Sequence, residues 1–468
     1  MTESITVTAP SEPINSAFTA MNALATSDDT SIKYYAAWWL GKNRVLEASS
    51  LLCVCLQDEL DQTALGGYPL RRQAARSLGK LKDPNTVTAL ISALECSDPK
   101  VKEVVVIALK DIGNQAAIPV LIDLLYQEDK PIEALIEALT AFKVWEVQDE
   151  ILPFLQHSSE RIKCAAAQYF YTLTLNPYYL EILFQTLSHE NRFVRYAAAF
   201  DISVLGRVET VPEILQAEIS NSIKLLVLKR ILESVLLDKA ETEVKRQETA
   251  NFLFKTIDEL LMDAIEGTIH KVNSEVANQE VENIMALVAQ YNTNSQQVCE
   301  QTISTLIEAL KSRDPKVKVS AINGLVQLAP ASVDTIIDIF DTDGDQEFIA
   351  GLIQTLAYIG DPRTLSLLLE VIGYEVANHC QGKFRRVAVR GLGKIARQAT
   401  QSEILFPAIE KLKWSLLEPE DWGLRYSAIV ALEYIGSSDT IKVLQTGSER
   451  ESDLIVQTRI ERAIAAIA

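Results

Sequence analysis

Histidine and cysteine are scarce, four and six in 468 residues. The cysteines fall at irregular spacings, which excludes a disulfide framework and fits a reducing cytoplasm. Cys53-Val54-Cys55 has the look of a metal pair. Residues two apart on a helix diverge by about 200°, and no second Cys-x-Cys or His pair completes a zinc set. Ordinary packed thiols are the reading for these two and for Cys164. His157, His189 and His270 stand alone. Also lacking are an apolar run long enough for a membrane helix, a basic leader with an apolar centre in Met1 to Ala20, a phosphate-cradling glycine loop and a serine-hydrolase elbow. Asp341-Thr342-Asp343-Gly344-Asp345 begins like a calcium loop, but its glycine comes too early and Leu352 stands where a terminal Glu is needed. No metal site is expected. Basic residues are outnumbered 44 to 63, giving a net charge of −19, which argues against nucleic acid as a partner.

What is present is a repeat. Hydrophobic residues make up 48% and charged residues 23%, which excludes a disordered chain. Copies start at Ile32-Lys33, Leu70-Arg71, Val101-Lys102, Ile162-Lys163, Val194-Arg195, Val317-Lys318, Phe384-Arg385 and Leu424-Arg425. Each reads apolar, basic, two variable residues, two mostly small apolar residues, two variable residues and an apolar anchor. The anchors are Leu40, Leu78, Leu109, Phe170, Ile202, Leu325, Leu392 and Leu432. Pro131 to Leu139 is a degenerate copy. Starts recur at 31 to 40 residues or near multiples of that step.

Self-similarity at this period with helical patterning predicts an α-solenoid, in which stacking supplies the core that one helix pair lacks. The alanine pairs and the Asp-Pro starts (Asp83-Pro84, Asp98-Pro99, Asp314-Pro315, Asp361-Pro362) resemble HEAT-like repeats. Asp caps a helix and Pro suits its first turn. The expected fold is all-α, a HEAT-like right-handed superhelix of stacked helix pairs. The expected organisation is a flexible tail over 1–31, a first array over 32–237, an irregular helical connector over 238–300 and a second array over 301–468.

The aromatic residues concentrate in Lys33-Tyr34-Tyr35-Ala36-Ala37-Trp38-Trp39-Leu40-Gly41. At about 100° per residue, Tyr34, Tyr35, Trp38 and Trp39 share an arc, and Ala36, Ala37 and Leu40 share the other side. The second and sixth positions after each start lie four apart on one face. They read Tyr34/Trp38, Arg72/Arg76, Glu103/Ile107, Cys164/Gln168, Tyr196/Phe200, Val319/Asn323, Arg386/Arg390 and Tyr426/Val430. A groove of rings and guanidinium groups suits a flat, conjugated ligand with carboxylates. Packing between repeats is the competing reading, favoured for Phe200 and Val430.

Leu65-Gly66-Gly67-Tyr68-Pro69-Leu70-Arg71-Arg72-Gln73-Ala74-Ala75-Arg76, with Tyr34–Gly41, closely resembles the larger chain of the E/F-type phycobilin lyases. Asn221-Ser222-Ile223-Lys224-Leu225-Leu226 resembles that family's segment near the end of the array. These cyanobacterial HEAT-repeat proteins attach linear tetrapyrroles to phycobiliprotein cysteines. The resemblance covers about residues 31–237. With the groove reading it points to bilin-binding roles for Tyr34, Tyr35, Trp38, Trp39, Tyr68, Arg71, Arg72 and Arg76, and the shared repeat positions add Arg386 and Arg390 of the second array. Asn378-His379-Cys380-Gln381-Gly382-Lys383 resembles the motif of relatives that isomerise the pigment while attaching it, with Lys383 in place of the final Asn. It implies catalytic roles for His379 and Cys380, one moving a proton and the other adding transiently to the bilin.

An E-like array followed by an F-like one is similar to the single-chain lyases of phycoerythrin systems. That resemblance implies phycoerythrobilin as transferred substrate, with no separate cofactor. It also implies a phycoerythrin α subunit as acceptor, phycourobilin as the isomerised product, a cytoplasmic location and no membrane insertion. Two other functions stay open on the residues alone. One is a non-catalytic chaperone or scaffold for phycobiliprotein or phycobilisome assembly. The other is an interaction solenoid whose aromatic arc docks a peptide.

Overall fold

The computed structural model describes residues 14–262, 274–291, 296–340, 345–373, 382–417 and 421–468. Every regular element among them is a helix. The chain divides into two compact units, Met1–Thr186 and Leu187–Ala468. The first holds α1 (Ala17–Thr26), α2 (Thr30–Lys42), α3 (Ser49–Cys55), α4 (Pro69–Leu81), α5 (Val87–Ala93), α6 (Pro99–Ile112), α7 (Ile118–Leu125), α8 (Ile132–Ala141), α9 (Gln148–Ile151), α10 (Glu160–Thr174) and α11 (Pro177–Thr186). The second holds α12 (Arg192–Val204), α13 (Val211–Gln216), α14 (Asn221–Leu237), α15 (Glu243–Leu260), α16 (Ser274–Tyr291), α17 (Gln296–Ala309), α18 (Pro315–Gln327), α19 (Ala331–Ile339), α20 (Gln346–Ile359), α21 (Leu365–Ile372), α22 (Gly382–Gln398), α23 (Ser402–Leu417), α24 (Trp422–Ile435), α25 (Ser438–Arg450) and α26 (Leu454–Ile467).

Every repeat start except Val194, which opens α12, opens a helix of one of two rows. In the first unit α2, α4, α6, α8 and α10 pack side by side, with α3, α5 and α7 behind them. In the second, α16, α18, α20, α22, α24 and α26 form a row and α17, α21, α23 and α25 back it. The paired small residues explain the close stacking. Ala36, Ala37, Ala74, Ala75, Ala166, Ala167, Ala198, Ala199, Ala321 and Ala388 are all fully buried. The anchors Leu40, Leu78, Leu109, Ile202, Leu325, Leu392 and Leu432 are as well. Removing this apolar surface from water at about 25 cal/mol per Å² is the main term holding such a stack together. The result is an all-α HEAT-like solenoid.

The Asp-Pro starts act as expected of caps. Asp98 accepts from Lys100 N at 2.9 Å and Asp314 from Lys316 N at 2.7 Å. Asp83 and Asp361 do the same for short 3-10 turns. The basic residue after the start often caps a helix C-terminus, where carbonyls lack partners. Arg71 Nε donates to Asp58 O at 2.7 Å, beyond the end of α3, and Arg385 Nε to Ile372 O at 2.6 Å, ending α21.

Two expectations about organisation change. Residues 17–26 of the expected tail form α1, closed by a capping box between Ser16 and Thr19 and seated on α2 through buried Ala20 and Leu24. The compact division falls after Thr186, not after Leu237. The reason is that α14 packs on α15 and α26, and Lys229 of α14 bonds Asp453 at 2.8 Å and lies over the Trp422 ring at 5.5 Å. The segment expected as an irregular helical connector lies within the second unit. It contributes α15, α16 and α17, and α16 packs into the row against α18. Among the described residues no helix is long and apolar enough to cross a membrane.

Candidate functional site

The arc on α2 forms because its opposite side is committed to packing. Gly41 sits where a Cβ would lie 2.4 Å from Ser77 Oγ, so α2 and α4 approach through backbone. Ser77 Oγ donates to Ala37 O at 2.7 Å. That leaves Tyr34 and Tyr35 exposed, at 38% and 45%, and Trp38 and Trp39 half-buried. The Tyr35 and Trp38 rings stack at 5.3 Å, and Lys42 Nζ lies 5.4 Å from the Trp38 centroid.

The adjacent helix α4 carries the guanidinium groups, and they differ in how committed they are. Arg71 lies over the Tyr68 ring at 4.2 Å while it caps the chain at Asp58. Arg72 is paired with Asp98 at the start of α6, Nε at 2.8 Å and Nη2 at 2.6 Å from the same Oδ2. That oxygen also accepts from Tyr68 N at 3.0 Å. Burial alone would raise the Asp98 carboxyl. The donors Tyr68 N, Arg72 and Lys100 N outweigh burial and hold it below the ordinary carboxylate range. Gly67 leaves room where the guanidinium passes, since a Cβ there would lie 2.6 Å from Arg72 Nη2. Arg76 is exposed and makes no hydrogen bond or ion pair with a described residue.

The second unit repeats the arginine arrangement. Arg386 Nε and Nη2 each lie 3.0 Å from an oxygen of Asp421, the N-cap of α24. The guanidinium crosses Gly423, where a Cβ would be 2.7 Å from Nε. Arg390, a turn further along α22, donates through Nη1 to Asp258 O of α15 at 3.3 Å. So both second-unit arginines have protein partners. His379 and Cys380 lie outside the described residues, as do His270 and Asp341–Gly344 of the calcium-like stretch.

The packed-thiol reading matches what surrounds the cysteines. Burial pushes the Cys55 thiol up to about 11, with Asp58 adding to it, and raises Cys53. Cys164 is fully buried and bonds Thr186 Oγ1 at 3.3 Å. Sequence reasoning missed Asp98 and Asp421 as arginine partners. The signal existed: each is the N-cap of the next repeat's helix, within reach of an arginine at the second repeat position.

Repeats, caps and buried pairs define a HEAT-repeat protein, and the HEAT-repeat family model matches residues 68–140 and 303–377. The chain is 48% identical over 262 residues to the bilin biosynthesis protein PecE of Mastigocladus laminosus, covering 54% of this chain and 97% of that one. It is 44% identical over 172 residues to the bilin biosynthesis protein PecF of Nostoc sp. (strain PCC 7120), covering 37% of this chain and 99% of that one. It is 41% identical over 222 residues to the phycocyanobilin lyase subunit alpha of the same Nostoc, covering 44% and 80%. The chain belongs to the E/F-type family of HEAT-repeat bilin lyases.

Proposed function

We propose that this protein joins a linear tetrapyrrole to a cysteine of a phycobiliprotein through a thioether. In its finer form the pigment is phycoerythrobilin, the acceptor a phycoerythrin α subunit and the place the cytoplasm, with isomerisation to phycourobilin as a further step at His379 and Cys380. The observation that carries the proposal is kinship at 48% identity over nearly the whole of a bilin biosynthesis relative. The exposed rings of α2 beside the guanidinium groups of α4 support it.

In the reaction, the acceptor's S–H adds across the ethylidene double bond of pyrrole ring A. A C–S bond forms, the double bond is consumed and the thiol proton ends on the tetrapyrrole, with no leaving group. The nucleophile belongs to the acceptor, so the lyase acts by orientation. Tyr34, Tyr35, Trp38 and Trp39 offer flat surfaces for pyrrole rings. Arg76 offers an uncommitted guanidinium to a propionate, and Arg72, fixed by Asp98, offers a positioned one. The bilin is substrate, and no resident cofactor takes part. A chain that covers both an E-type and an F-type relative supports action without a second lyase subunit.

The test is co-expression with a bilin-producing pathway and a candidate α subunit, followed by denaturation. Visible absorbance that stays on the subunit supports the lyase, and its position reports isomerisation. Colour that binds but leaves on denaturation supports a holding scaffold and overturns the lyase.

A further inference from the structure

Helix α15 is docked by its C-terminal half onto α22, α24 and α26. Phe254, 3% exposed, stacks at 6.5 Å and 21° on Tyr426, which is fully buried. Arg462 lies over the same Phe254 ring at 4.6 Å. Two turns of chemistry meet at Asp258. Its carbonyl accepts from Arg390 Nη1 at 3.3 Å, and its Oδ2 lies 3.3 Å from Arg459 Nη2. Rings and arginines are thus assembled from three consecutive row helices, and a helix from outside the row supplies the ring and the carboxylate that fill them.

The filling is incomplete. Arg459 is 6% exposed, yet its Nε has no hydrogen-bond partner, and Asp258 Oδ1 accepts none. A carboxylate facing the guanidinium edge would take both Nε and Nη2, and leaving a buried donor unmet is costly. Two guanidinium groups converge on Asp258, Arg390 on its carbonyl and Arg459 on its carboxylate, while Arg459 also pairs with Glu433. The two propionates of a linear tetrapyrrole would take the place of that carbonyl and that carboxylate.

We infer that Arg390, Tyr426 and Arg459 form a second bilin subsite, and that α15 occupies it with Phe254 in the ring position and Asp258 in the propionate position. The inference rests on the bilin-lyase reading and deepens it. The site takes a flat dicarboxylic tetrapyrrole, and binding there displaces the end of α15. An occupant of this kind lowers apparent affinity by the fraction of chains in which the site is open.

The experiment uses the full chain and phycocyanobilin as probe, beside its dimethyl ester. Hydrogen exchange in residues 250–260 is expected to quicken when phycocyanobilin is added, and to stay unchanged with the ester. D258N, whose side chain keeps the shape of Asp258, is expected to bind phycocyanobilin at least about fivefold more tightly than the parent, with its melting temperature as the check on folding. Exchange that is unchanged or slowed by the bilin overturns the subsite, whether or not D258N folds. Equal affinity of D258N and parent, both folded, also overturns it. Covalent transfer by the parent is scored separately. Transfer with unmoved α15 removes the subsite alone, and moved α15 without transfer to any subunit removes the lyase reading and leaves the subsite.

Discussion

Arg72 of α4 and Asp98, the N-cap of α6, are locked together, with Nε and Nη2 of the arginine both within 2.8 Å of one carboxylate oxygen. The same aspartate caps α6 through its other oxygen and holds the Tyr68 amide. One side chain therefore ties three features of neighbouring repeats. Asp98→Ala is expected to destabilise the first unit by about 2–4 kcal/mol, from the lost cap and the stranded arginine. The sign with pH follows from the lowered carboxyl. The stabilisation is full above the unfolded value near 3.9 and is lost as pH falls through the lower folded value. Urea unfolding of parent and Asp98→Asn should differ at pH 6, and the difference should shrink as pH falls below the unfolded value near 3.9.

Trp38 and Arg76 separate pigment handling from folding better than Arg72 does. Arg76 is exposed and uncommitted, so Arg76→Ala should move stability by no more than about 0.5 kcal/mol. A charge-assisted hydrogen bond to a propionate is worth about 1.5–3 kcal/mol. Transfer should therefore fall by about tenfold or more at low bilin concentration. Trp38→Ala should lower transfer with the helical signal intact, since Ala36, Ala37 and Leu40 on the other side carry the core. Absorbance retained on the denatured acceptor, read beside circular dichroism, checks both. Unchanged transfer in both variants would remove the α2–α4 surface from the mechanism.

Periodic features were legible in the sequence because they are local. The buried alanine pairs, the leucine anchors and the Asp-Pro caps stand at the expected positions. The exposed arc on α2 was legible too, since Ala and Leu on one side leave Tyr and Trp for the other. What escaped depends on which distant helices meet. Nothing local to Arg390 announces that Asp258, 132 residues earlier, will cap against it. Arg72 and Arg386 read as free clamps because only the stacking of the next repeat brings Asp98 and Asp421 alongside. The first helix escaped for a different reason: its capping box closes with Thr19 where the usual signature has Glu or Gln.

Gly41 fixes the distance between the aromatic helix and α4. A Cβ there would sit 2.4 Å from Ser77 Oγ and 2.8 Å from Ser77 Cα, so backbone must move. Gly79 is a milder case, with Ala108 Cα at 3.0 Å. Alanine favours a helix over glycine by about 1 kcal/mol, and overpacking costs about 1–3 kcal/mol. Gly41→Ala should therefore destabilise the first unit and lower transfer together, while Gly79→Ala should lie near neutral. Thermal melts and transfer assays on the two variants rank them, and equal effects would contradict the close α2–α4 contact.

Lys411 gives a pH dependence of the opposite kind in the second unit. It is 1% exposed, with Nζ 3.0 Å from Gly373 O and 5.0 Å from the Trp414 centroid. Burial pushes its ammonium down to about 8, and the nearby Arg385 charge adds to the shift. The unfolded chain holds its lysine proton to about pH 10.4, so between pH 8 and 10.4 the unfolded state binds more protons. The Lys411 contribution to stability then rises with pH across that window, by about 3 kcal/mol for a shift of this size. Below pH 8 the cost of the buried charge is fully present. Lys411→Met removes the titrating group at similar length, so its stability should lack this rise. Parallel pH slopes for parent and Lys411→Met between pH 8 and 10 would mean that Lys411 keeps an ordinary affinity for its proton.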